Sequence, residues 1–183
     1  MSKIGRRPIN ISDVEVKVDG QKVSYKGKEA SGEHVLPTFL QAKTENGELC
    51  ISFKDKPDKK FVRENKQFWG LHRALLANKI GGAKKPFEKQ VRITGLGFKV
   101  QVSGPKLNFS LGFSHKIDLQ MPKGVTIDVD KTGQILTFKS AQKDVLGEIC
   151  DAVRSLRPPE PYKGTGIKLA EEVIIRKAGK AKA

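Results

Sequence analysis

The sequence predicts an α+β fold built from two similar halves, and three observations lead to this prediction. Short runs of alternating apolar and polar residues, typical of strands with one buried face, recur along the chain. Two longer segments place apolar residues at helical spacing, one in residues 62–80 and the other in residues 142–156. The order of hairpin, strand and helix in the first half returns in the second, which indicates an internal duplication.

The composition points to a polyanionic partner. The 183 residues carry a net charge of +15 with a pI near 9.9, and division after residue 82 gives halves of +6 and +9. Such an excess attracts nucleic acid first and an anionic membrane surface second. No apolar run is long enough to span a bilayer and the N-terminus lacks a hydrophobic signal core, so we expect a cytoplasmic protein without a membrane partner.

The first nine residues have no apolar period and carry three cations, Lys3, Arg6 and Arg7. A short, polar and basic terminus of this kind has little apolar surface to bury. We therefore expect a flexible basic arm that becomes ordered when it meets a partner.

Strand signals begin at Val14 and indicate a hairpin. Valines alternate with charged residues up to Val18, and the pair Asp19-Gly20 is typical of a tight hairpin turn. Val23 and Tyr25 continue the alternation on the return strand.

A further strand is predicted over Leu49–Phe53, where apolar residues alternate again after a turn at Asn46-Gly47. The charged residues 54–60 that follow are expected to form a loop before the first helix.

A broad apolar stripe at helical spacing predicts the first helix, from about Val62 to Ile80. The stripe consists of Phe68, Trp69, Leu71, Leu75, Leu76 and Ile80. His72 lies within it, where either a core histidine bonded to the backbone or a catalytic histidine would fit. No carboxylate or cysteine has the spacing that catalysis would need, which favours the core interpretation.

The first helix is expected to end at Gly81-Gly82, because glycine favours the position just after a helix. Lys84-Lys85-Pro86 then forms a short link. The predicted domains are residues 1–82, which include the basic arm, and residues 83–183.

The second half repeats the first, and the two hairpins match at an offset of 84 residues. Residues 16–25 match residues 100–109, and the later strand residues 52–54 are paralleled by residues 137–139. Hairpins can resemble each other by chance, but the shared order of hairpin, strand and helix favours duplication. Each half is predicted as an antiparallel sheet with a helix packed on one face.

The second helix is predicted from about Gln142 to Leu156, with an apolar face made of Val145, Leu146, Ile149, Val153 and Leu156. Arg154 and Arg157 lie three positions apart and share another face of this helix. Arg154 could pair with Asp151 inside the helix or face RNA, and the nearby cations Lys163 and Lys168 favour RNA.

The segment 157–168 that follows the helix combines features of a binding surface. Three prolines, at 158, 159 and 161, are expected to stop the helix and to hold an extended, polyproline-like path. The segment offers an aromatic ring, cations and bare backbone, at Tyr162, Arg157, Lys163, Lys168, Gly164 and Gly166. Such a segment suits a phosphate-and-sugar surface, and it fits equally a terminal strap packed on its own domain.

The last residues, 170–183, begin with an apolar alternation at Val173 and Ile175. They continue into cations separated by alanine and glycine, namely Arg176, Lys177, Lys180 and Lys182. This composition predicts a mobile basic tail.

The order of residues 159–167, Pro-Glu-Pro-Tyr-Lys-Gly-Thr-Gly-Ile, resembles the C-terminal signature of the bacterial-type ribosomal protein L six family, Pro-Glu-x-Tyr-Lys-Gly-x-Gly-hydrophobic. Further landmarks of that family lie, in its order, at residues 2–9, 75–78, 94–98, 111–115 and 153–159. The resemblance runs from Lys3 to about Arg176. It departs at Thr165, where the family usually has lysine, at residues 11–13, which lack a Pro-x-Gly lead-in, and in the turn at 28–34.

The resemblance implies a structural protein of the large ribosomal subunit. Its implied partners are large-subunit (23S-type) ribosomal RNA near the sarcin–ricin loop and the base of the stalk, and neighbouring ribosomal proteins, with translation factors close by. It implies no enzymatic activity, cofactor, metal or small-molecule substrate, and it assigns most of the RNA anchoring to the C-terminal domain. The residues expected to bind RNA are Lys3, Arg6, Arg7, Lys84, Lys85, Arg154, Arg157, Tyr162, Lys163, Gly164, Gly166, Lys168 and Arg176.

Other functions have less support in the residues. A free RNA-binding or chaperone module outside the ribosome would have the same composition and charge. A small hydrolase would have to use Ser114 and His115, for which no third partner is readable. The pair Gly95-Leu96-Gly97 lacks the third glycine of a dinucleotide site and is interpreted as a strand bend. Cys50 and Cys150 are isolated thiols in apolar surroundings, which favours reduced, structural cysteines.

Overall fold

Thirteen strands and two helices are formed by the residues that the computed structural model describes, which are 2–45, 47–54 and 58–179. They belong to two units, Met1–Pro86 and Phe87–Ala183. Asn46 of the predicted turn, residues 55–57 of the predicted loop, and Lys180 and Lys182 of the predicted tail lie outside the described residues.

The first unit contains six strands and one long helix among the described residues. They are β1 (Ile9–Asn10), β2 (Glu15–Asp19), β3 (Lys22–Lys26), β4 (Ser31–Val35), β5 (Leu40–Glu45), β6 (Glu48–Phe53) and α1 (Lys59–Lys84). The strands form two antiparallel sheets, with orders β1-β6-β5 and β2-β3-β4.

The second unit has seven strands and a shorter helix among the described residues. They are β7 (Phe87–Thr94), β8 (Lys99–Ser103), β9 (Lys106–Ser110), β10 (Ile117–Gln120), β11 (Val125–Val129), β12 (Ile135–Ser140), α2 (Lys143–Leu156) and β13 (Gly166–Leu169). The sheets are again antiparallel, with orders β10-β9-β8 and β11-β12-β7-β13.

The two units share one plan, which confirms the prediction of an α+β fold with two similar halves. The bounds of β2 and β3, shifted by 84 residues, coincide with those of β8 and β9. The order β1-β6-β5 corresponds to β7-β12-β11. Each half contains two small sheets, whereas the sequence pattern predicted one, and β13 on the outer side of β7 has no counterpart in the first unit.

The core of the first unit forms where α1 covers the strands. Trp69, Leu76 and Ile80 are the buried large apolar side chains of the helix. The Trp69 indole N–H donates to the Ile51 carbonyl oxygen at 2.7 Å, so the ring is buried without loss of its hydrogen bond. Trp69, Leu76 and Ile80 of the predicted apolar stripe thus face the sheet, whereas Phe68 and Leu71 are exposed.

Helix α1 does not end at Gly81-Gly82, so the predicted helix end is wrong. The helix continues to Lys84, and the Lys85 N–H bonds the Gly81 carbonyl at its close. Ala83 is fully buried and its carbonyl accepts the Glu29 N–H at 3.1 Å. Glycine costs only about 1 kcal/mol relative to alanine inside a helix. The burial of Ala83 and its hydrogen bond to Glu29 outweigh that cost.

His72 is paired with another histidine, where a backbone partner was favoured. His34 Nε2 lies 3.0 Å from His72 Nδ1, and Lys79 Nζ lies 3.3 Å from His34 Nδ1. His34 is only 8% exposed. Burial, together with the nearby Lys79 charge and His72, lowers the pKa of His34 to about 4, and burial lowers the pKa of His72 as well.

The core of the second unit forms beneath α2. The helix buries Leu146, Ile149, Cys150 and Val153 against strands that contribute Phe138 and other apolar residues. Burial raises the pKa of the Cys150 thiol, which disfavours the reactive thiolate. Cys50 and Cys150 are both free thiols.

We predict that residues 1–86 and 87–183 each fold when produced alone, because each contains its own apolar core. The matched control is residues 1–82, which lack buried Ala83 and its hydrogen bond to Glu29. Urea unfolding should give a cooperative transition for 1–86 and a clearly lower midpoint for 1–82. Equal midpoints, or no transition in either long fragment, would contradict the prediction.

We predict that the free energy of unfolding falls as the pH drops from about 6.5 to about 4. His34 stays neutral in the folded state over this range, whereas the unfolded chain takes up the proton, so acid favours unfolding. At about 1.4 kcal/mol per pKa unit the loss from His34 is at most about 3 kcal/mol. The measurement is urea unfolding of the parent chain at several pH values.

The matched comparison uses His34→Gln and His115→Gln. His34→Gln should flatten the pH dependence in this window, whereas His115→Gln changes an exposed side chain and should leave it unchanged. Equal slopes in all three proteins would show that His34 is not the group responsible.

Candidate nucleic-acid interface

The segment after α2 folds back on itself as a closed loop. The chain leaves the helix at Arg157, turns at residues 161–163 and returns as β13. Backbone hydrogen bonds join its two arms, from Ile167 N–H to the Arg157 carbonyl and from Glu160 N–H to the Thr165 carbonyl, both at 2.8 Å. The predicted extended, polyproline-like path is therefore wrong beyond residue 160, because the cross-arm hydrogen bonds close a turn.

Thr165, which stands where lysine was expected from the resemblance, helps to close this loop. Its hydroxyl donates to Glu160 Oε2 at 3.0 Å, and the Gly164 N–H bonds the Glu160 carbonyl at 3.0 Å. The tail is tied to the same loop, because the Lys177 N–H bonds the Pro161 carbonyl at 2.9 Å. Through residue 177 the tail is thus held by the loop.

Other residues of the same chain pack closely against the backbone of Gly164 and Gly166. Gly166 has φ +133°, and a Cβ there would lie 2.6 Å from the Pro158 carbonyl oxygen. Gly164 has φ +73°, and a Cβ there would lie 3.1 Å from a guanidinium nitrogen of Arg176. Both glycines permit close packing inside the loop, where the sequence interpretation had expected an approach to an external surface.

Arg157 lies between two aromatic rings. Its guanidinium carbon is 5.0 Å from the ring centre of Phe98 and 4.9 Å from that of Phe113. Its Nη1 donates to the Leu111 carbonyl oxygen. A half-buried guanidinium with these contacts gains cation–π energy and is committed to the fold, so Arg157 fixes the base of the loop.

Arg154 forms an ion pair that the sequence did not indicate. Its Nε and Nη2 donate to the two carboxylate oxygens of Glu172, at 2.9 and 2.6 Å. The Arg154 hydrogen bond holds the pKa of Glu172 below its ordinary value. This bidentate pair joins α2 to the residues after β13, and it satisfies the guanidinium within the chain.

The exposed side chains of the loop are Tyr162 and Lys163. Tyr162 is 54% exposed and Lys163 is also exposed, at the outer end of the turn. Lys168 is half-buried on β13, and exposed Arg176 lies over Gly164. The structure thus brings an aromatic ring and three cations onto one loop and its tail.

The N-terminal residues form a folded turn against α1, which corrects the prediction of a flexible arm. Gly5 is buried, and a Cβ there would lie 2.6 Å from the Trp69 ring. Arg73 donates to the carbonyl oxygens of Arg7 and Pro8, at 3.0 and 2.9 Å. A ring face and two hydrogen bonds therefore dock the terminus on the helix.

This docking joins the N-terminal cations to a basic face of α1. Four helix residues share that face at spacings of four, three and seven, namely Lys59, Arg63, Lys66 and Arg73. Gly70 lies on the same face, and a Cβ there would be 3.1 Å from the Ser2 hydroxyl, so the N-terminal turn passes this point. We call the exposed side chains Lys3, Arg6, Arg7, Lys59, Arg63 and Lys66 the N-terminal basic surface.

Lys84 and Lys85 lie elsewhere on the first unit. Fifteen residues of helix separate Lys84 from Trp69, about 22 Å along the axis. The Lys84 ammonium pairs with the Asp13 carboxylate, and this contact holds the pKa of Asp13 below its ordinary value. Lys84 and Lys85 are thus not part of the N-terminal basic surface.

The α1 cations were not among the predicted site residues, although their helical spacing is readable in the sequence. The aromatic partners of Arg157 come from two distant segments and have no local signal. Gly95-Leu96-Gly97 forms a turn between β7 and β8, with no helix after it, as a strand bend requires. No helix within the described residues is both long and apolar enough to cross a lipid bilayer.

Comparison with known proteins gives a consistent result over the whole chain. The family described as ribosomal protein L6 matches residues 94–169. A curated relative from Wolinella succinogenes, large ribosomal subunit protein uL6, is 42% identical over 184 residues, and the match covers 98% of each chain. Proteins of the same name from Helicobacter hepaticus and Azorhizobium caulinodans are each 40% identical, over 98% and 100% of both chains.

We predict that Gly166→Ala destabilises the second unit. The added Cβ would meet backbone atoms of Pro158 and Pro159, and φ is unfavourable for alanine. We expect a loss of about 1–3 kcal/mol in the free energy of unfolding. Gly124→Ala is the matched control, because Gly124 has φ +82° but open space around it, and it should cost roughly 1 kcal/mol. A cost for Gly166→Ala no larger than that of the control would show that the loop yields to the clash.

Proposed function

We propose that this chain, which belongs to the ribosomal protein L6 family, binds large-subunit ribosomal RNA near the sarcin–ricin loop and the base of the stalk. The family comprises structural, non-enzymatic proteins of the large ribosomal subunit, and full-length identities of 40–42% to uL6 proteins carry this assignment. The chain is accordingly a structural constituent of that subunit, which in bacteria is cytoplasmic. The prediction that it is not an enzyme is confirmed.

The C-terminal loop supplies one contact surface in this proposal. Lys163, Lys168 and Arg176 can each approach a phosphate, and cations that neutralise phosphates release condensed counterions. Exposed Tyr162 adds a ring that can stack on a base or a sugar. The closed hydrogen-bonded loop presents these groups with little conformational entropy left to lose.

The N-terminal basic surface supplies a second contact surface. Its six cations lie on the N-terminal turn and on one face of α1, and both elements are held in place by Trp69 and Arg73. A helix face with cations one and two turns apart suits the phosphate backbone of folded RNA, which is recognised largely by shape. We assign Lys3, Arg6 and Arg7 to phosphates on this basis.

Arg157 and Arg154 act in this proposal as positioning residues. Arg157 fixes the base of the loop through Phe98, Phe113 and Leu111, and Arg154 anchors the residues after β13 through Glu172. Gly164 and Gly166 act likewise, because they permit the close packing of the loop. Lys84 is engaged by Asp13, so we assign no phosphate to it and keep exposed Lys85 as a contact.

Neighbouring ribosomal proteins are partners in this assembly, and we propose that translation factors dock close by. A free RNA-binding or chaperone module is the alternative, since it would have the same basic surfaces. Sedimentation separates the two, because a ribosomal protein travels with the large subunit in a gradient and a free module does not.

We predict that Lys163→Glu weakens binding of the purified chain to large-subunit ribosomal RNA, because it replaces an attraction to phosphate with a repulsion. Tyr162→Ala should also weaken binding, by roughly 1–3 kcal/mol if the ring stacks on a base, with little change in stability because the ring is 54% exposed. Affinity should fall steeply with salt, with a slope of up to about 0.9 per neutralised phosphate.

The control is Lys43→Glu, a charge reversal on β5 of the first unit that should change affinity little. The measurement is RNA affinity at several salt concentrations, with unfolding curves alongside. A slope near zero would rule out a phosphate-dominated interface. Parent-like binding by Lys163→Glu together with weak binding by Lys43→Glu would move the anchoring surface to the first unit.

A further inference from the structure

Two exposed rings stand side by side in the segment between β9 and β10. Phe113 is 45% exposed and His115 is exposed, and both lie in the bend of residues 111–116. Their ring centres are 6.3 Å apart and their planes differ by 25°, so the two rings form a stacked pair. Phe113 contacts Arg157, but neither ring is among the RNA contacts proposed above.

The bend that carries these rings is fixed at several points. Leu111 is buried and its carbonyl accepts a hydrogen bond from Arg157. Gly112, with φ +75°, lies so close to Phe98 that a Cβ would be 2.9 Å from that ring. Leu111 and Gly112 hold the backbone just before Phe113, and Ile117 pairs with Phe109 just after the bend, so the exposure of Phe113 is a feature of the fold.

The electrostatic setting favours a π-rich, anionic ligand. The Arg157 guanidinium is 4.9 Å from the Phe113 ring centre, and exposed Lys116 directly follows His115. A flat ring can take the face of a nucleobase while a nearby exposed cation, here Lys116, meets the adjoining phosphate. Arg157 is held by Leu111 and the two phenyl rings, so it contributes positive charge without a phosphate contact of its own. A base inside a duplex has its faces covered by its neighbours, so this arrangement selects unpaired bases.

We propose that His115, backed by the Phe113 ring, stacks on an unpaired base of the bound ribosomal RNA, as a contact distinct from the loop at residues 157–168. This inference rests on the proposed function, because it names a specific mode of contact with the same partner. It adds a shape- and ring-dependent contact to an interface whose other contacts are mainly ionic.

The test compares four proteins for binding to in vitro transcribed large-subunit ribosomal RNA at several salt concentrations. They are the parent chain, His115→Ala, His115→Phe and His115→Lys. His115 is exposed, so these variants leave the buried core in place. We expect His115→Ala to lose about 5- to 160-fold in affinity, the range for one stacked base, with the salt slope unchanged. His115→Phe should bind within about twofold of the parent, because it keeps a flat ring.

Three results would overturn the inference. They are parent-like binding by His115→Ala, a loss in His115→Phe as large as that in His115→Ala, or full binding by His115→Lys with a steeper salt slope, which would indicate a phosphate contact. If Lys163→Glu weakens binding and His115→Ala does not, only the stacking inference fails. The exposed surface of Phe113 and His115 would then be available to a neighbouring protein. If the parent chain binds this RNA without salt dependence, the phosphate interface of the proposed function fails, whatever His115→Ala shows.

Discussion

The arrangement of the second unit's surface depends on one guanidinium. Arg157 stands at the end of α2 and contacts Phe98 and Phe113, while its Nη1 bonds the Leu111 carbonyl. It thereby ties two segments that are distant in sequence, at Phe98 and at residues 111–113, to the point where the C-terminal loop begins. The loop's hydrogen bonds, the tail bound at Pro161 and the exposed rings of the 111–116 bend are all built outward from this point.

The two halves of the duplication share a strand plan but differ in what lies beside their corresponding strands β1 and β7. In the second unit the outer side of β7 is covered by β13, which returns from the C-terminal loop. In the first unit β1 has only two residues, and the carbonyl groups just before it are bonded by the Arg73 side chain. A helix side chain thus bonds backbone carbonyls next to β1 in the first unit, whereas a whole strand pairs with β7 in the second. Both solutions satisfy backbone groups and bring cations to the surface.

The sequence predicted those parts of the fold whose cause is local. Alternation and turn residues placed β2, β3, β8 and β9, because side chains on a strand must face opposite sides of a sheet. The predictions failed where contacts between residues distant in sequence determine the structure. The burial of Ala83 extends α1 beyond two glycines that were predicted to end it. Trp69 and Arg73 hold an N-terminus whose local composition predicted a flexible arm.

Charge was the least informative signal for individual site residues. Arg154, Arg157 and Lys163 looked equivalent in sequence, yet the structure gives the first to Glu172, the second to two aromatic rings and leaves the third in solvent. The partners of the two arginines lie at least eighteen residues away. Sequence spacing therefore could not tell which cations of the segment are paired within the chain and which one is exposed.

The docking of the N-terminal turn has a consequence for the order in which the chain is made. Arg7 is synthesised 66 residues before Arg73, whose side chain holds it. At about 5–20 residues per second, roughly 3 to 13 seconds pass between the two. For most of that interval the first cations have no docking face, since Trp69 and Arg73 have not yet been made. The N-terminal basic surface is therefore completed only when the helix that closes the first unit has been made.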